Sequence, residues 1–441
     1  MKKKFIYLLC LIGILSLGGC IKHTDETVPP TVKFMVISDI HYFDPSLFAV
    51  PINASFQGYL AADRKLIVES SAILNNVLAS VQAEKPDFLL ITGDLTKDGE
   101  KFDHQKLTTL FQALIDKGIK VLVIPGNHDI NNSASNNYLQ ATPAKIDNVS
   151  PADFASIYAN CGYGLNTFVE RDVNSLSYVS EPIKGVWVLG IDACQYNPTG
   201  ITAGAISANT LTWVKSIVAK AKQQNKILLS MMHHGLVEHF AGQSTLFPEY
   251  VISDWQNVST QLADAGMNVI FTGHFHAQDV TKKTSANGFV FDVETGSTVT
   301  SPCPYRIATL NTVTKTLQIT SKKIDGVTYS TIPAGTTFQQ YAKDYLTTGM
   351  KSISYYMLNT PPYSIPGTTI SALQLDRIMA NAFVAHYAGD ETPSAADNTD
   401  IQTVKTMIPT LGGAIQSVWT DLNPADNNVT INLTTGTFTN N

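Results

Sequence analysis

The chain has 441 residues, 44% of them hydrophobic, which is enough to bury a large core in two domains or in one domain with an appendage. Its 30 basic residues face 36 acidic ones, and removing the three lysines of the leader described below leaves 27, a charge near −9. That balance argues against holding a nucleic-acid polymer by its phosphates, but a small phosphorylated ligand gripped through bound metal charge remains compatible with it.

Residues 1–19 read as an export signal. Lys2, Lys3 and Lys4 form a positive start, and an apolar run from Phe5 to Leu17 ends in Leu17-Gly18-Gly19-Cys20. The run is shorter than the roughly 20 apolar residues that a spanning helix needs. A cysteine behind Leu-Gly-Gly resembles the bacterial lipobox. The resemblance implies acylation of Cys20 and a protein anchored by this lipid to a cell membrane, on its extracytoplasmic face. Residues 20–31 are polar, with Pro29 and Pro30, and read as a linker. Cys161, Cys194 and Cys303 match no zinc knuckle; they allow one disulfide, and the sequence does not choose the pair.

From Val32 onward, short apolar runs alternate with helical patterns. Residues 32–37, 88–91 and 121–124 read as buried strands. Between them, 62–84 and 101–117 carry apolar residues at helical spacing, as in Leu66, Ile73, Leu74, Val77 and Val81. Residues 131–150, rich in Asn, Ser and Ala, read as a long loop. The alternation resumes with a strand at 186–191, a helix capped by Ser207 and running to 224, a strand at 227–231, a helix at 249–265 and a strand at 269–271. From 280 to about 324 the texture predicts antiparallel strands. Residues 32–328 are therefore read as one α/β domain whose sheet edges are completed by hairpins. Residues 329–441 read as a mainly helical C-terminal domain, with helices over 338–346, 371–388 and 401–419 and a closing strand at 428–433.

Five short motifs punctuate this pattern, four of them where a strand ends. They are Asp39-Ile40-His41, Gly93-Asp94, Gly126-Asn127-His128-Asp129, Met231-Met232-His233-His234 and Gly273-His274-Phe275-His276. The carboxyl ends of strands in an open α/β sheet line one crevice, so residues placed there converge. Aspartates, histidines and an asparagine carbonyl form a mixed nitrogen–oxygen set suited to Zn²⁺, Mn²⁺ or Fe²⁺ rather than Ca²⁺, and they are too many for one tetrahedral ion.

The order D-x-H, G-D, G-N-H-D, H, G-H-x-H resembles the calcineurin-like metallophosphoesterase superfamily over residues 32 to about 324. The stretches GDLTKDGE (93–100) and MMHHGLVEH (231–239) are similar to bacterial class III cyclic-nucleotide phosphodiesterases and their lipoprotein relatives. The resemblance implies an α/β/β/α sandwich of mixed sheets with flanking helices. It implies two divalent metal ions (Mn, Fe or Zn). Asp39, His41, Asp94 and His276 would hold one, and Asp94, Asn127, His233 and His274 the other, with Asp94 bridging. A hydroxide between the metals would attack phosphorus in line. His128 would neutralise the phosphate and protonate the leaving oxygen, and Asp129 would hold its imidazole in the right tautomer.

Two departures narrow the reading. Lys97 stands where purple acid phosphatases carry a tyrosine ligand, which favours a divalent pair over Fe³⁺. Gly99-Glu100 stand near where protein Ser/Thr phosphatases place an Asp-Arg pair, which removes an anchor for phosphomonoesters. His233 is preferred over His234 as ligand. Arg306 is expected to grip a substrate phosphate bidentately, against the alternative of a surface salt bridge. Glu238 and His239 either border the pocket or lie on a solvated loop, Asp192 lies on the site side of its strand, and His104 and His386 are expected to be structural. The leading expectation is a phosphodiesterase for cyclic nucleotides or similar small diesters. A phosphomonoesterase or nucleotidase with the same metals and a surface binding protein are the alternatives.

Overall fold

A computed structural model describes residues 27–164 and 167–441, so the expected export signal and Cys20 lie outside the described residues. In chain order the strands begin with β1 (Thr31–Ile37), β2 (Phe88–Ile91) and β3 (Lys120–Val123), then a short ribbon of β4 (Asn136–Asn137) and β5 (Ala144–Lys145). The middle of the chain adds β6 (Phe168–Arg171), β7 (Tyr178–Ile183) and β8 (Val186–Ile191). A second ribbon, β9 (Cys194–Gln195) with β10 (Ile201–Gly204), precedes β11 (Ile227–Met232) and β12 (Val269–Thr272). Then come β13 (Asp279–Thr284), β14 (Phe289–Glu294), β15 (Pro304–Asn311) and β16 (Thr316–Lys323), and near the C-terminus β17 (Asn428–Asn432) and β18 (Phe438–Asn440).

Two seven-stranded sheets result, with orders β18-β17-β16-β15-β1-β2-β3 and β13-β14-β12-β11-β8-β7-β6. In the first, β1, β2 and β3 are parallel and β15 runs antiparallel to β1. In the second, β8, β11, β12 and β14 are parallel. The sheets share one core. The Phe34 ring of β1 stacks on Phe88 at 4.9 Å and meets Phe271 of the other sheet edge-on at 5.5 Å. Val186 and Val188 of β8 point into that core, while Trp187 and Leu189 face helices Ala208–Gln223 and Trp255–Ala265. Helices Ser70–Glu84 and Lys101–Ile115 bury Ile73, Val77, Leu107 and Phe111 in the core of the first sheet. Each such side chain contributes about 1.5–3 kcal/mol. The layers are those of a calcineurin-like α/β/β/α sandwich.

The departures from sequence expectation have local causes. The helix expected over 62–84 begins only at Ser70, because Leu66 donates its N–H to Val299 O at 2.8 Å instead of to a helical carbonyl. The helix expected over 401–419 is two, Ala395–Met407 and Pro409–Val418. Pro409 has no N–H and bars helical geometry at Ile408, whose φ is −139° and ψ 79°. The 338–346 helix runs on to Asn359. The hairpin of β6 and β7 had no counterpart in the sequence reading.

The C-terminal helices Phe338–Asn359, Gly367–Leu373, Leu375–Ala388, Ala395–Met407 and Pro409–Val418 share a second core that includes Phe240 and Phe275. The chain then re-enters the first sheet, where β17 pairs with β16. Residues 329–441 thus complete the sheet begun by residues 31–37 as well as adding helices. Cys161, Cys194 and Cys303 are free thiols, and among the described residues no helix is long and apolar enough to cross a membrane.

Candidate metal centre

All five motifs sit at carboxyl ends of parallel strands, on the turns leaving β1, β2, β3, β11 and β12. Asp39 (φ 49°), His41 (φ 38°), Asp94 (φ 48°), His274 (φ 76°) and His276 (φ 71°) all adopt left-handed backbone geometry. Such geometry costs of order 1–3 kcal/mol each and persists where the surroundings enforce it, commonly at functional sites. The glycines give the room this needs. A Cβ on Gly93 would lie 2.6 Å from His233 Nδ1, and one on Gly126 would overlap the Asp94 carboxylate.

Asp94 is the common vertex. Its Oδ2 lies 3.6 Å from His41 Nε2, 3.4 Å from His233 Nε2 and 4.0 Å from His128 Nε2. Its Oδ1 accepts the His128 N–H at 2.9 Å. On one side, Asp39 Oδ1 is 3.4 Å from His276 Nε2 and 3.9 Å from His41 Nε2, and those two ring nitrogens are 3.3 Å apart. On the other, His233 Nε2 is 3.1 Å from Asn127 Oδ1, and His274 joins Asp94 and His233 in a cluster whose ligand atoms lie within 4.8 Å of one another. The structure therefore brings together all seven expected ligand residues, in two groups that meet at Asp94.

The surroundings aim these groups inward. His233 Nδ1 donates to Thr92 O at 2.8 Å and His274 Nε2 to Glu249 O at 3.1 Å, which turns the opposite nitrogen of each ring toward the cluster. His276 Nδ1 is held by Thr300 Oγ1 at 2.9 Å. Asp39 Oδ2 accepts the His274 N–H at 3.0 Å, whereas its Oδ1 is buried with no donor at all. Burial alone would push the Asp94 carboxyl up, yet the imidazoles of His233, His128 and His41 hold it well below the usual carboxylate range. Burial pulls His276 down to about 4 and keeps it a neutral ligand-type imidazole. An orphaned buried carboxylate oxygen, converging imidazole nitrogens and a shared aspartate fit a pair of divalent cations.

His128 departs from the ligand pattern. Its ring is the accessible one, with 26% of the side chain exposed against 4% or less for Asp39, His41, Asp94, His233 and His276. Its Nδ1 lies 2.9 Å from Asp98 Oδ1. Burial pulls its pKa down, but Asp94 and Asp98 outweigh that and raise it.

Asp98 is the residue that sequence reasoning missed, and it corrects the role given to Asp129. Asp129 is buried beneath the loops; its carboxylate accepts N–H groups of Leu95, Thr96 and Gly126 at 3.1, 3.0 and 2.8 Å and does not touch the His128 ring. Burial and Asp94 push it up to about 7. Asp98 is in turn fixed by Lys97, which bridges Asp98 and Glu100 from a cage of Phe43, Tyr59 and Tyr138 rings. The only sequence signal for Asp98 was its place in GDLTKDGE.

Arg306 also requires correction. It is fully buried on β15 and donates to Thr295 Oγ1 (3.2 Å), Ser321 Oγ (3.1 Å) and the carbonyls of Asp426 (2.6 Å), Asp279 (3.3 Å) and Glu294. With its donors committed inside the protein, it has none for a substrate phosphate. Neither Glu238 nor His239 borders the centre: Glu238 accepts from Ser244, and His239 lies buried among acids. His234 turns its Nε2 to Thr202 O at 2.8 Å, away from the cluster. Asp192 accepts from Leu176 N, Cys194 N and Tyr196 Oη and braces its own loop.

A curated protein of Schizosaccharomyces pombe, described as uncharacterized protein C1020.05, is 26% identical over 263 residues, or 58% of this chain; the chain spans about half of that relative's length, 47%. Among solved structures, a dimetal phosphatase from Danio rerio superposes with a TM-score of 0.45 at 14% identity over 68% of this chain and 100% of its own. A purple acid phosphatase from yellow lupin seeds superposes with a TM-score of 0.42 at 11% identity over 66% of this chain and 51% of its own. The family model of calcineurin-like phosphoesterases matches residues 32–278, more than half of the chain and the whole stretch that carries the five motifs. The chain belongs to the calcineurin-like phosphoesterase family.

Proposed function

We propose that this protein is a two-metal phosphodiesterase of small phosphodiesters, cyclic nucleotides foremost among them. The observation that carries the reading is the division of the centre between buried ligand groups meeting at Asp94 Oδ2 and one accessible imidazole, His128, standing 4.0 Å from that oxygen. Asp39, His41, Asp94 and His276 would hold one cation, and Asp94, Asn127, His233 and His274 the other. Bound there, divalent cations supply positive charge to the phosphate oxygens and acidify water. Asp98 accepts from His128 Nδ1–H, so Nε2 is the nitrogen turned toward the substrate. Asp94 and Asp98 raise the pKa of His128, which favours the protonated ring as a donor to the leaving oxygen.

The preference for a diester rests on two cations that a substrate phosphate cannot reach. Lys97, three residues after Asp94, and Arg306, on β15, are both spent inside the protein, on Asp98 and Glu100 and on backbone carbonyls respectively. Neither is therefore free to meet the second negative oxygen of a dianionic monoester, an anchor that a monoanionic diester does not require. Metal-depleted protein resupplied with Mn²⁺, Zn²⁺ or Fe²⁺ is to be assayed on 3′,5′-cyclic nucleotides, a nitrophenyl diester, nucleoside monophosphates and a nitrophenyl monoester. The expected result is a higher kcat/KM for the diesters. Faster turnover of the monoesters would make the protein a nucleotidase, and silence with every metal would make it a binding protein.

A further inference from the structure

Away from Asp94, a second knot of charged side chains is buried where the C-terminal helices meet the edge of the second sheet. Asp279, Asp292 and Glu294 enter from β13 and β14, and His239 from the segment after β11. His386 and Glu391 come from the end of helix Leu375–Ala388 and the loop beyond it. All six are at least nine-tenths buried. His239 Nδ1 is 2.6 Å from Asp279 Oδ1, and its Nε2 is 3.3 Å from both Asp292 Oδ2 and Glu294 Oε2. On the other side of Asp279, His386 Nδ1 contacts Glu391 Oε1 and lies 3.9 Å from Asp279 Oδ2. Asp279, His386 and Glu391 each offer one ligand atom, and these atoms lie within 4.8 Å of one another.

The protein's own groups leave this knot incomplete. Asp279 Oδ2, Glu391 Oε2 and both oxygens of Glu294 are buried without a hydrogen-bond partner. A buried polar atom left so costs about 1–3 kcal/mol, more when charged. Charge is also unbalanced. Four carboxylates face two imidazoles, and Arg306 closes the cluster through the backbone carbonyls of Asp279 and Glu294 and not through their side chains. The Asp292 carboxylate, by contrast, is well supplied with donors, from Thr272, Leu236 and Val237.

We propose that a third divalent cation, Zn²⁺ or Mn²⁺, binds between Asp279, His386 and Glu391, apart from the centre around Asp94. One imidazole with two carboxylates is a donor set for these ions, whereas Ca²⁺ would seek six or more oxygens. The ligands join two parts of the chain. Asp279 follows the His276 turn by three residues, and Phe275 in that turn packs against the His386 ring at 5.5 Å. A cation here fastens the C-terminal helices to the strand that leaves the catalytic loop.

The test uses the full chain crystallised with Zn²⁺ and, separately, with Mn²⁺, and reads anomalous scattering together with metal content in solution. The expected result is a peak between Asp279, His386 and Glu391 in addition to those beside Asp94. Glu391→Gln should lose that peak and one equivalent of metal while keeping the ions beside Asp94, whose presence also shows that the variant folds. Wild type with no peak at this position under either metal would overturn the proposal; the acids would then be neutralised by protons. Retention of the full metal equivalent by Glu391→Gln would overturn it equally. Because the two sites are read by position, failure at Asp94 and failure here are distinguishable.

Discussion

His128 and Asp94 stand 4.0 Å apart and do different work. Asp94 gathers ligands, whereas His128 faces solvent and is held by Asp98. His128→Ala should therefore keep both metals. A general acid contributes ~10²–10⁴ in rate, so the variant should lose about that much on a ribose leaving group and far less on a nitrophenyl diester, whose leaving group needs little protonation. Asp98→Asn should show the same dependence on leaving group at smaller size, roughly 10–100-fold, as removal of an outer hydrogen-bond partner typically does. Metal content and rates on both substrates decide this. An equal loss on the two substrates with metals intact would mean that the pair aligns the phosphate and donates no proton. The ligands were readable from the motifs because each sits on a strand-end turn, where sequence position fixes spatial position. Asp98 and Asp129 could not be told apart in this way: both neighbour the right loops, and only the fold turns Asp98 to the ring and Asp129 under the backbone. Arg306 failed for a related reason. On β15 its side chain points into the seam between the sheets, and no sequence pattern marks that direction.

Helix Lys101–Ile115 shows how an element holds a catalytic loop. His104, buried on its inner face, meets Tyr158 Oη at 2.8 Å through Nδ1 and Asp129 O at 3.1 Å through Nε2. It thus ties the Gly126–Asp129 turn to the helix layer. Burial pulls its pKa down to about 3, from about 6.5 in an unfolded chain. Folding therefore expels a proton, and the stability this ring contributes is complete above pH 6.5 and is lost as pH falls toward 3. Between pH 7 and pH 5 the loss is roughly 2 kcal/mol for one such group. Urea denaturation of wild type and His104→Gln at those two pH values isolates it, because contributions of other buried groups cancel. The wild type should lose about 2 kcal/mol more than the variant, and parallel losses would show that His104 is not held neutral. Strands and helix interiors were legible from periodicity. Helix starts were not, wherever a tertiary hydrogen bond such as Leu66 N to Val299 O displaced a helical one.

At the scale of the whole molecule, two sheets carry the metal ligands on facing strand ends, and the C-terminal residues seal the arrangement. The first sheet contributes Asp39, His41, Asp94 and Asn127, and the second His233, His274 and His276, so neither sheet alone holds a complete site. The return of β17 to pair with β16, and the packing of the C-terminal core on Phe275, make residues 329–441 part of the framework around that site. The sequence pattern showed helices there but not the buried acids they share with β13 and β14, because those partners lie 92 to 112 residues apart. The account depends most on Asp94 as the vertex between the sheets. Crystals of wild type and Asp94→Asn loaded with Mn²⁺, examined by anomalous scattering and assayed for diester hydrolysis, test this directly. Wild type should show two ions roughly 3.5–4 Å apart beside Asp94, and Asp94→Asn should show neither and no hydrolysis. Two ions retained beside an asparagine at this position, or a wild type active with a single ion there, would contradict it.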